Sequence, residues 1–391
     1  MRDLTKRLIA RIPDRIMDGL RPSRFFVSSC RQGPIPIYLL RGAISPAGEQ
    51  GSMIIAGLRR LVDYFPHRFF SAPPRHEIVG EEVIWRLGTA LENHRAQADL
   101  IIVAADRVSA GLFPRRNYLR LPSLVDARMA VPTDDNAFAK SNDGIISDLR
   151  RLRRHQYEWK ITSSAAEFDL FYERFYLPYV RLRHGDLAIA QDREWLRYRY
   201  PQGEVLWTMR KGAPVAGNLI CRRGDTLISV LNGVLDGDPE RLKAGALAAI
   251  YMQSLEYARQ LGCRYFDLGG CRPSLHDGVL RFKRKMGITL LGAHDAHDFL
   301  IRWNAWTPGV AAFLAGTGLI YRENGGFSAV AALNSTEPAT QEDADRTHHM
   351  LWTGGLQRLS LVSSAGWRAD VAPPPHTLLH GPVGITDLLC P

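Results

Sequence analysis

Lys283 offers the most specific chemistry in the chain. It lies in a short helical stretch, Asp277–Met286, with Asp277 placed to cap it and Gly287 to end it. At about 100° per residue it shares a face with Val279, Phe282 and Met286, while Arg281, Arg284 and Lys285 project elsewhere. An ammonium on an apolar face either meets an anionic partner or reaches back to solvent, because burying it unpaired is costly. Asp267 stands in the strand Tyr265–Leu268, where a carboxylate acts as a base, orients one, or caps the following loop. His276, in the loop Cys271–Asp277, is a side chain type that titrates near neutrality. Cys271 would serve as a nucleophile only as an activated thiolate, and no neighbour in sequence marks one.

A second constellation lies upstream. Thr226–Leu231 reads as a strand, and Asn232–Glu240 carries the turn residues that end it. Lys243–Leu261 reads as one long helix, with Leu247, Tyr251, Leu255, Ala258 and Leu261 at helical spacing and Gly262 as its terminator. A loop entering a helix presents unpaired N–H groups and a positive dipole end, which suits a phosphate. Arg241 and Lys243 flank that start. Ala244, Gly245 and Ala246 either admit a phosphate or simply pack closely. At the strand exit, Asn232 and Gly233 can supply an N–H to a developing oxyanion.

Three blocks, in this order and spacing, resemble the GNAT-type acyltransferases, in the branch of FemAB-like proteins and acetyltransferase domains of polysaccharide-synthesis operons. They are Lys243-Ala244-Gly245, Phe266-Asp267-Leu268-Gly269, and Phe282-Lys283-Arg284-Lys285-Met286-Gly287. The stretch from Lys140 to Thr162 is similar to the same branch, and the resemblance spans residues 110–300 or so. It implies an α/β (α+β) fold with a GNAT-like mixed sheet, two splayed parallel strands and the acyl donor in their gap. It implies acyl-CoA as co-substrate and places Lys283 near a donor or acceptor phosphate. The family's phosphate loop, Q/R-x-x-G-x-G/A, aligns with Arg241, Ala244 and Ala246, so its first glycine is absent here. The implied organisation is a degenerate GNAT-like lobe over 1–140, the acyltransferase domain over 141–330, and a polar, proline-containing tail over 331–391.

Composition is compatible with this reading. The 391 residues suffice for more than one domain, and 46% hydrophobic with 23% charged residues is ordinary for a globular chain. A net charge of +10 favours anionic partners: a phosphorylated cofactor, a nucleic acid or an anionic surface. The five cysteines form no CxxC and are read as reduced thiols of a cytoplasmic protein. His294 and His297 would point to opposite faces of a strand, which disfavours a metal site. No signal segment or membrane span is read; Val310–Tyr321 is too short and glycine-broken.

The remaining elements must position these residues. Strands are expected at Pro34–Arg41 and Ala98–Ala105, the latter buried on both faces, and helices at Met53–Tyr64 and Glu81–Ala96. An amphipathic stretch covers Leu4–Met17. Four arginines, Arg150, Arg151, Arg153 and Arg154, form a basic collar on a helix whose Leu149 and Leu152 face inward. Ala165–Arg183 carries an aromatic stripe read as core. Val205–Arg210 and Val215–Arg222 form a hairpin, and Tyr265–Leu268 should lie parallel to Thr226–Leu231. Residues 335–391 are expected to pack poorly. Three functions follow. The first is N-acyl transfer from acyl-CoA to an amine on an amino sugar, amino acid or glycan precursor. The second is aminoacyl transfer from charged tRNA. The third is a non-catalytic binding module on the same fold.

Overall fold

The run Pro34–Arg41 forms strand β1 (Ile35–Ala43) in the computed structural model of the chain. The structure describes residues 33–44, 48–57, 65–106, 108–133, 138, 140, 143–185, 190–292 and 297–389; Leu4–Met17, Cys30, His294 and Cys390 lie outside them. The described residues fall into two compact units. One is built from 126–269 and 282–289, the other from the described parts of 14–125, 270–281 and 290–391.

In the second unit, β2 (Gln50–Ala56) pairs antiparallel with β1, and β3 (Arg75–Glu82) takes the other edge of β1. The helix expected over Met53–Tyr64 is therefore corrected: Met53–Ala56 ends a strand, and 58–64 lie outside the described residues. All four side chains from Met53 to Ala56 are buried, so both faces are covered, and a short apolar run does not separate strand from helix. Helix α1 (Pro66–Phe69) follows. Helix α2 (Leu87–His94) starts later than Glu81 because Glu81 and Glu82 finish β3. β4 (Leu100–Asp106) is buried at every position, as its continuous apolar run predicts. β5 (Leu119–Pro122) closes this part.

The first unit begins with β6 (Val125–Ala130) and α3 (Asp143–His155), followed by β7 (Glu158–Thr162). Ala165–Arg183 is one helical rod with a π-helical middle: α4 (Ala165–Leu170), the π-helix Phe171–Tyr176 and α5 (Leu177–His184). Its aromatic stripe is core, with Phe171 and Phe175 buried against Trp207. After α6 (Arg193–Arg199) come β8 (Glu204–Arg210) and β9 (Ala213–Arg223). Lys211 and Gly212, at φ 51° and 75°, make the two-residue left-handed turn that the strand twist favours.

β10 (Thr226–Val234) runs three residues past its expected end. The helix expected over Lys243–Leu261 is α8 (Ala246–Gln260); Gly245 at φ 90° separates it from a short helix, α7 (Pro239–Lys243), which lies largely in the stretch read as turn. Gly262 terminates α8 as predicted. Its N–H bonds Arg259 O at 2.9 Å and that of Cys263 bonds Ala258 O at 2.9 Å, a paired closure of the last turn. β11 (Tyr265–Cys271) then lies parallel to β10. Asp277 caps α9 (Gly278–Arg284) by accepting from the N–H groups of Val279 and Leu280. With β12 (Thr289–Leu291) at its edge, the strand order is β12–β6–β11–β10–β9–β8–β7.

The second unit resumes with β13 (His297–Arg302), which completes a sheet of order β3–β1–β2–β4–β13–β5. Val310–Tyr321 divides into the buried helix α10 (Pro308–Thr317) and β14 (Leu319–Glu323). β15 (Gly326–Leu333), helix α11 (Gln341–Leu351), β16 (Leu356–Ser363), β17 (Thr377–His380) and α12 (Ile385–Leu389) follow. The expectation that 335–391 packs poorly is corrected. Thr340 and Asp343 cap α11 reciprocally, and β16 is buried between β15 and β17.

Candidate functional site

β10 and β11 pair over only three residues, Thr226–Ile228 with Tyr265–Asp267. Beyond that point β10 continues along β9 through a register shift between Ser229 and Leu231 and ends at Val234. β11 continues through Asp267 to Gly269 without a partner on β10. The two parallel strands therefore part, leaving Val230–Asn232 and Leu268–Gly269 unpaired with each other. This is a mixed sheet with two splayed parallel strands, as the sequence resemblance implies.

Lys283 and Asp267 converge on one residue, Gly269, and hold the two peptide groups that flank its Cα. Lys283 is 1% exposed and its Nζ donates to Gly269 O at 2.6 Å. Asp267 Oδ1 accepts from Gly269 N–H at 2.8 Å. Gly269 stands at φ 75°, and a Cβ there would lie 3.2 Å from Ser229 O, beside the register shift of β10. Glycine is required there by conformation, and the two side chains hold the peptide groups on either side of it. The inward face of α9 differs from expectation. Leu280 and Lys283 are its buried positions, whereas Val279 is 36% exposed. Lys285 does not project away: it pairs with Asp148 of α3, itself 3% exposed, and its Nζ lies 4.2 Å from the centre of the Phe282 ring.

Asn232 lies within β10, where β11 has left it. Its Nδ2 donates to Tyr251 Oη at 3.0 Å, and its Oδ1 is buried with no hydrogen-bond partner among the described residues. Tyr251 also packs on Phe282 at 5.0 Å, so α8, β10 and α9 meet at that ring. Gly233 is explained by packing. A Cβ there would stand 2.6 Å from Phe175 C and 2.7 Å from Tyr176 N, so β10 passes directly against the π-helix backbone. On the α8 face of the sheet, Ser229, Asn218 and Ser254 form a buried hydrogen-bonded chain. Thr208 and Gln253 form another. These fix α8 on the strands.

Arg241, Lys243, Ala244, Gly245 and Ala246 do not sit together at one helix start. The long helix begins at Ala246, with Gly245 as its N-cap and no side chain capping its first turn. Arg241 and Lys243 belong to α7 and pair within it, Arg241 with Asp238 at 3.0 Å and Lys243 with Glu240 at 2.7 Å. Lys243 is fully on the surface, and Ala244 accepts from Tyr157 Oη at 3.4 Å. The side chain at the start of α8 is Arg151, whose stem packs on Gly245 and whose guanidinium pairs with Asp148 at 3.7 Å. Its Cδ lies 3.2 Å from where a Gly245 Cβ would stand. Burial, then Arg210, Arg154 and Arg151, push the His155 imidazole below its ordinary range. Burial raises the Tyr157 phenol, opposed by Arg210 and Arg241. The collar on α3 is thus one side of a wider basic rim.

Asp267 has a further neighbourhood that sequence reasoning missed. Arg199 and Arg223 lie over the Tyr200 ring at 5.9 and 5.5 Å. Burial raises the Tyr200 phenol, which the two arginines oppose and Asp267 reinforces. Burial, and then Arg223, lower Arg199. His276 belongs to the other unit, where its N–H bonds Thr317 O at 3.2 Å. Cys271 is buried and its Sγ contacts Val125 O at 3.4 Å. Among the described residues, no three His, Cys, Asp or Glu side chains gather as metal ligands, and no helix is long and apolar enough to cross a membrane.

No protein-family model and no curated protein matches the sequence. Among solved structures, the chain is similar to L-PGS from Bacillus licheniformis, at 14% identity over 71% of this chain and 88% of that one, with a TM-score of 0.34. It is similar to FemX at 12% identity over 74% and 96% of the two chains, TM-score 0.34. A GCN5-related N-acetyltransferase from Sphaerobacter thermophilus matches at 12% identity over 66% and 78%, TM-score 0.31. These matches lie among GNAT-fold proteins at low identity, and what the cleft does must be read from its own residues.

Proposed function

We propose that the chain is an N-acyltransferase that takes an acyl-CoA in the cleft between β10 and β11 and transfers the acyl group directly to an amine. The observation that carries the reading is the parting of β10 and β11 after Ile228 and Asp267, beside the uncapped start of α8 with Arg151 over it. The donor's phosphates would sit at the first turn of α8, where N–H groups, the dipole end and Arg151 act together, with Arg241 at the rim. Ala244, Gly245 and Ala246 keep that approach small. The donor's amide-bearing arm would lie along Val230–Asn232, the stretch of β10 without a β11 partner. The orphan acceptor Asn232 Oδ1 suits a donated amide N–H there.

In the step itself, the amine nitrogen attacks the thioester carbonyl carbon, the C–S bond breaks, coenzyme A leaves as its thiolate, and the amine gives up a proton. Lys283 and Asp267 are positioning residues: they fix Gly269 through its C=O and its N–H, beside the gap between the strands. The acceptor is an amino sugar, an amino acid or a glycan precursor. Acetyl-CoA or a longer acyl-CoA at 100 times its dissociation constant should stabilise the chain by about 2.7 kcal/mol. Arg151→Ala should weaken that binding about tenfold, the worth of one charge-assisted hydrogen bond. The absence of any thermal shift with acetyl-CoA, longer acyl-CoA and free coenzyme A would overturn the proposal.

One observation favours a second reading, aminoacyl transfer from charged tRNA. Arg150, Arg151, Arg153 and Arg154 are all exposed on α3, a broader basic surface than one pyrophosphate needs. If tRNA is the donor, its affinity should fall steeply between low and moderate salt, with a slope that counts the phosphates engaged. A flat salt dependence would remove this reading.

A further inference from the structure

We propose that the second unit holds a separate binding site for a small organic anion with an apolar body, independent of the acyl-donor cleft. The site is a cavity of about 680 Å3 lined by β5, the turn residues 113–116, residues 290–292 and the β14–β15 hairpin. Its size is that of a small-molecule pocket. Its apolar wall is preformed. Phe113, Tyr118, Leu300 and Phe327 are between 3% and 5% exposed, and Phe113 and Tyr118 are locked edge to face at 5.5 Å.

The polar lining is cationic beyond what the chain itself neutralises. Arg115, Arg116, Arg120 and Arg322 line the cavity, against Glu323 as the only lining carboxylate among the described residues. Glu323 is already taken, by Arg358 at 2.5 Å and by Ser328 Oγ at 2.6 Å. Buried Asp298 accepts from Nε of Arg120 at 2.5 Å and from Nε of Arg322 at 3.1 Å. One carboxylate thus serves two guanidiniums and leaves a positive charge. Both bonds use Nε, so the Nη groups of Arg120 and Arg322 make no hydrogen bond with a described residue. Asp298 pins the two forks, whose planar donors match a carboxylate or phosphate. Arg115 and Arg116 are exposed and make no ion pair or side-chain hydrogen bond with a described residue.

This combination selects the ligand. A neutral sugar has no use for the unmatched guanidiniums. A nucleic acid needs a broad basic face rather than a cavity walled by buried aromatic rings. An amphiphilic carboxylate or phosphate uses both halves, its oxyanion among the arginines and its chain or ring against Phe113 and Phe327.

The test is calorimetric titration of the full chain with octyl phosphate, octanoate, octyl glucoside and inorganic phosphate, the amphiphiles kept below micelle formation. One or both octyl anions should bind at least about tenfold tighter than octyl glucoside and than inorganic phosphate, a charge-assisted contact added to an apolar one. Which anion binds tighter distinguishes a phosphate from a carboxylate ligand. Arg115→Ala/Arg116→Ala, whose side chains hold nothing in the fold, should weaken the anion several-fold, and Arg322→Gln by about tenfold or more. The proposal is overturned if octyl glucoside binds as tightly as the anions, or if no amphiphile binds. It is equally overturned if the folded double variant, checked by circular dichroism, binds the anion unchanged.

Discussion

Lys283→Met should lower the unfolding free energy by about 2 kcal/mol, the cost of losing a buried hydrogen bond made by a charged donor. The ammonium is 1% exposed and holds Gly269 O at 2.6 Å. Methionine keeps the length and most of the volume of the stem, so no large cavity opens and the loss reports the polar contact. Lys283→Ala adds an unfilled volume and should cost more. Lys243→Met is the control. Its ammonium is on the surface, paired with an equally exposed Glu240, and its removal should leave the urea midpoint where it was. Lys283→Met should also abolish the acyl-CoA thermal shift, because Gly269 would then be held through its N–H alone. A variant as stable as the parent would mean that the Gly269 bond contributes nothing. A destabilised variant that still binds acyl-CoA normally would place the donor away from Gly269.

Why Lys283 was legible and Asp148 was not is a matter of sequence distance. Lys283 stands in a block with its own pattern, so residue type and helical spacing sufficed, even though the exposed Val279 was placed on the wrong side of the helix. Asp148 looks like one acid in an arginine-rich surface helix. Only folding brings Lys285 to it across 137 residues. Arg151 was legible as part of a collar but not as the side chain whose stem covers Gly245, because nothing local says that α3 packs there. The start of α8 at Ala246 was similarly hidden, since Lys243 and Ala244 carry no signal that separates them from the helix that follows. β3, with the sequence RHEIVGEE, carries too little apolar alternation to announce a strand, and as an edge strand it needs little. β9, β10 and β11 were readable because β-branched runs, a two-residue turn and the glycine stops agree with one another. The parting of β10 and β11 came only through the family resemblance, since hydrophobic pattern does not encode where pairing stops.

Gly233→Ala should cost about 3 kcal/mol, at the upper end for one added methyl group in a packed interior. The added Cβ would lie 2.6 Å from Phe175 C, 2.7 Å from Tyr176 N and 2.8 Å from Phe175 O. These are main-chain atoms, so no rotamer change relieves them. The π-helix cannot easily retreat either, because Phe171 and Phe175 are wedged on Trp207 with ring centres 6.1 and 4.8 Å away. Gly278→Ala is the matched control, since a Cβ there meets nothing within 4 Å, and it should unfold with the parent. The strand must therefore yield, and it yields at Asn232–Val234, the end that has left β11. Acyl-CoA affinity should fall with stability, about tenfold, as the peptide edge and Asn232 Oδ1 shift together. An alanine variant within 0.5 kcal/mol of the parent would mean that the π-helix backbone adapts. A strongly destabilised variant with unchanged acyl-CoA affinity would separate the close approach from the donor site, and the glycine would then serve only to let β10 reach the π-helix.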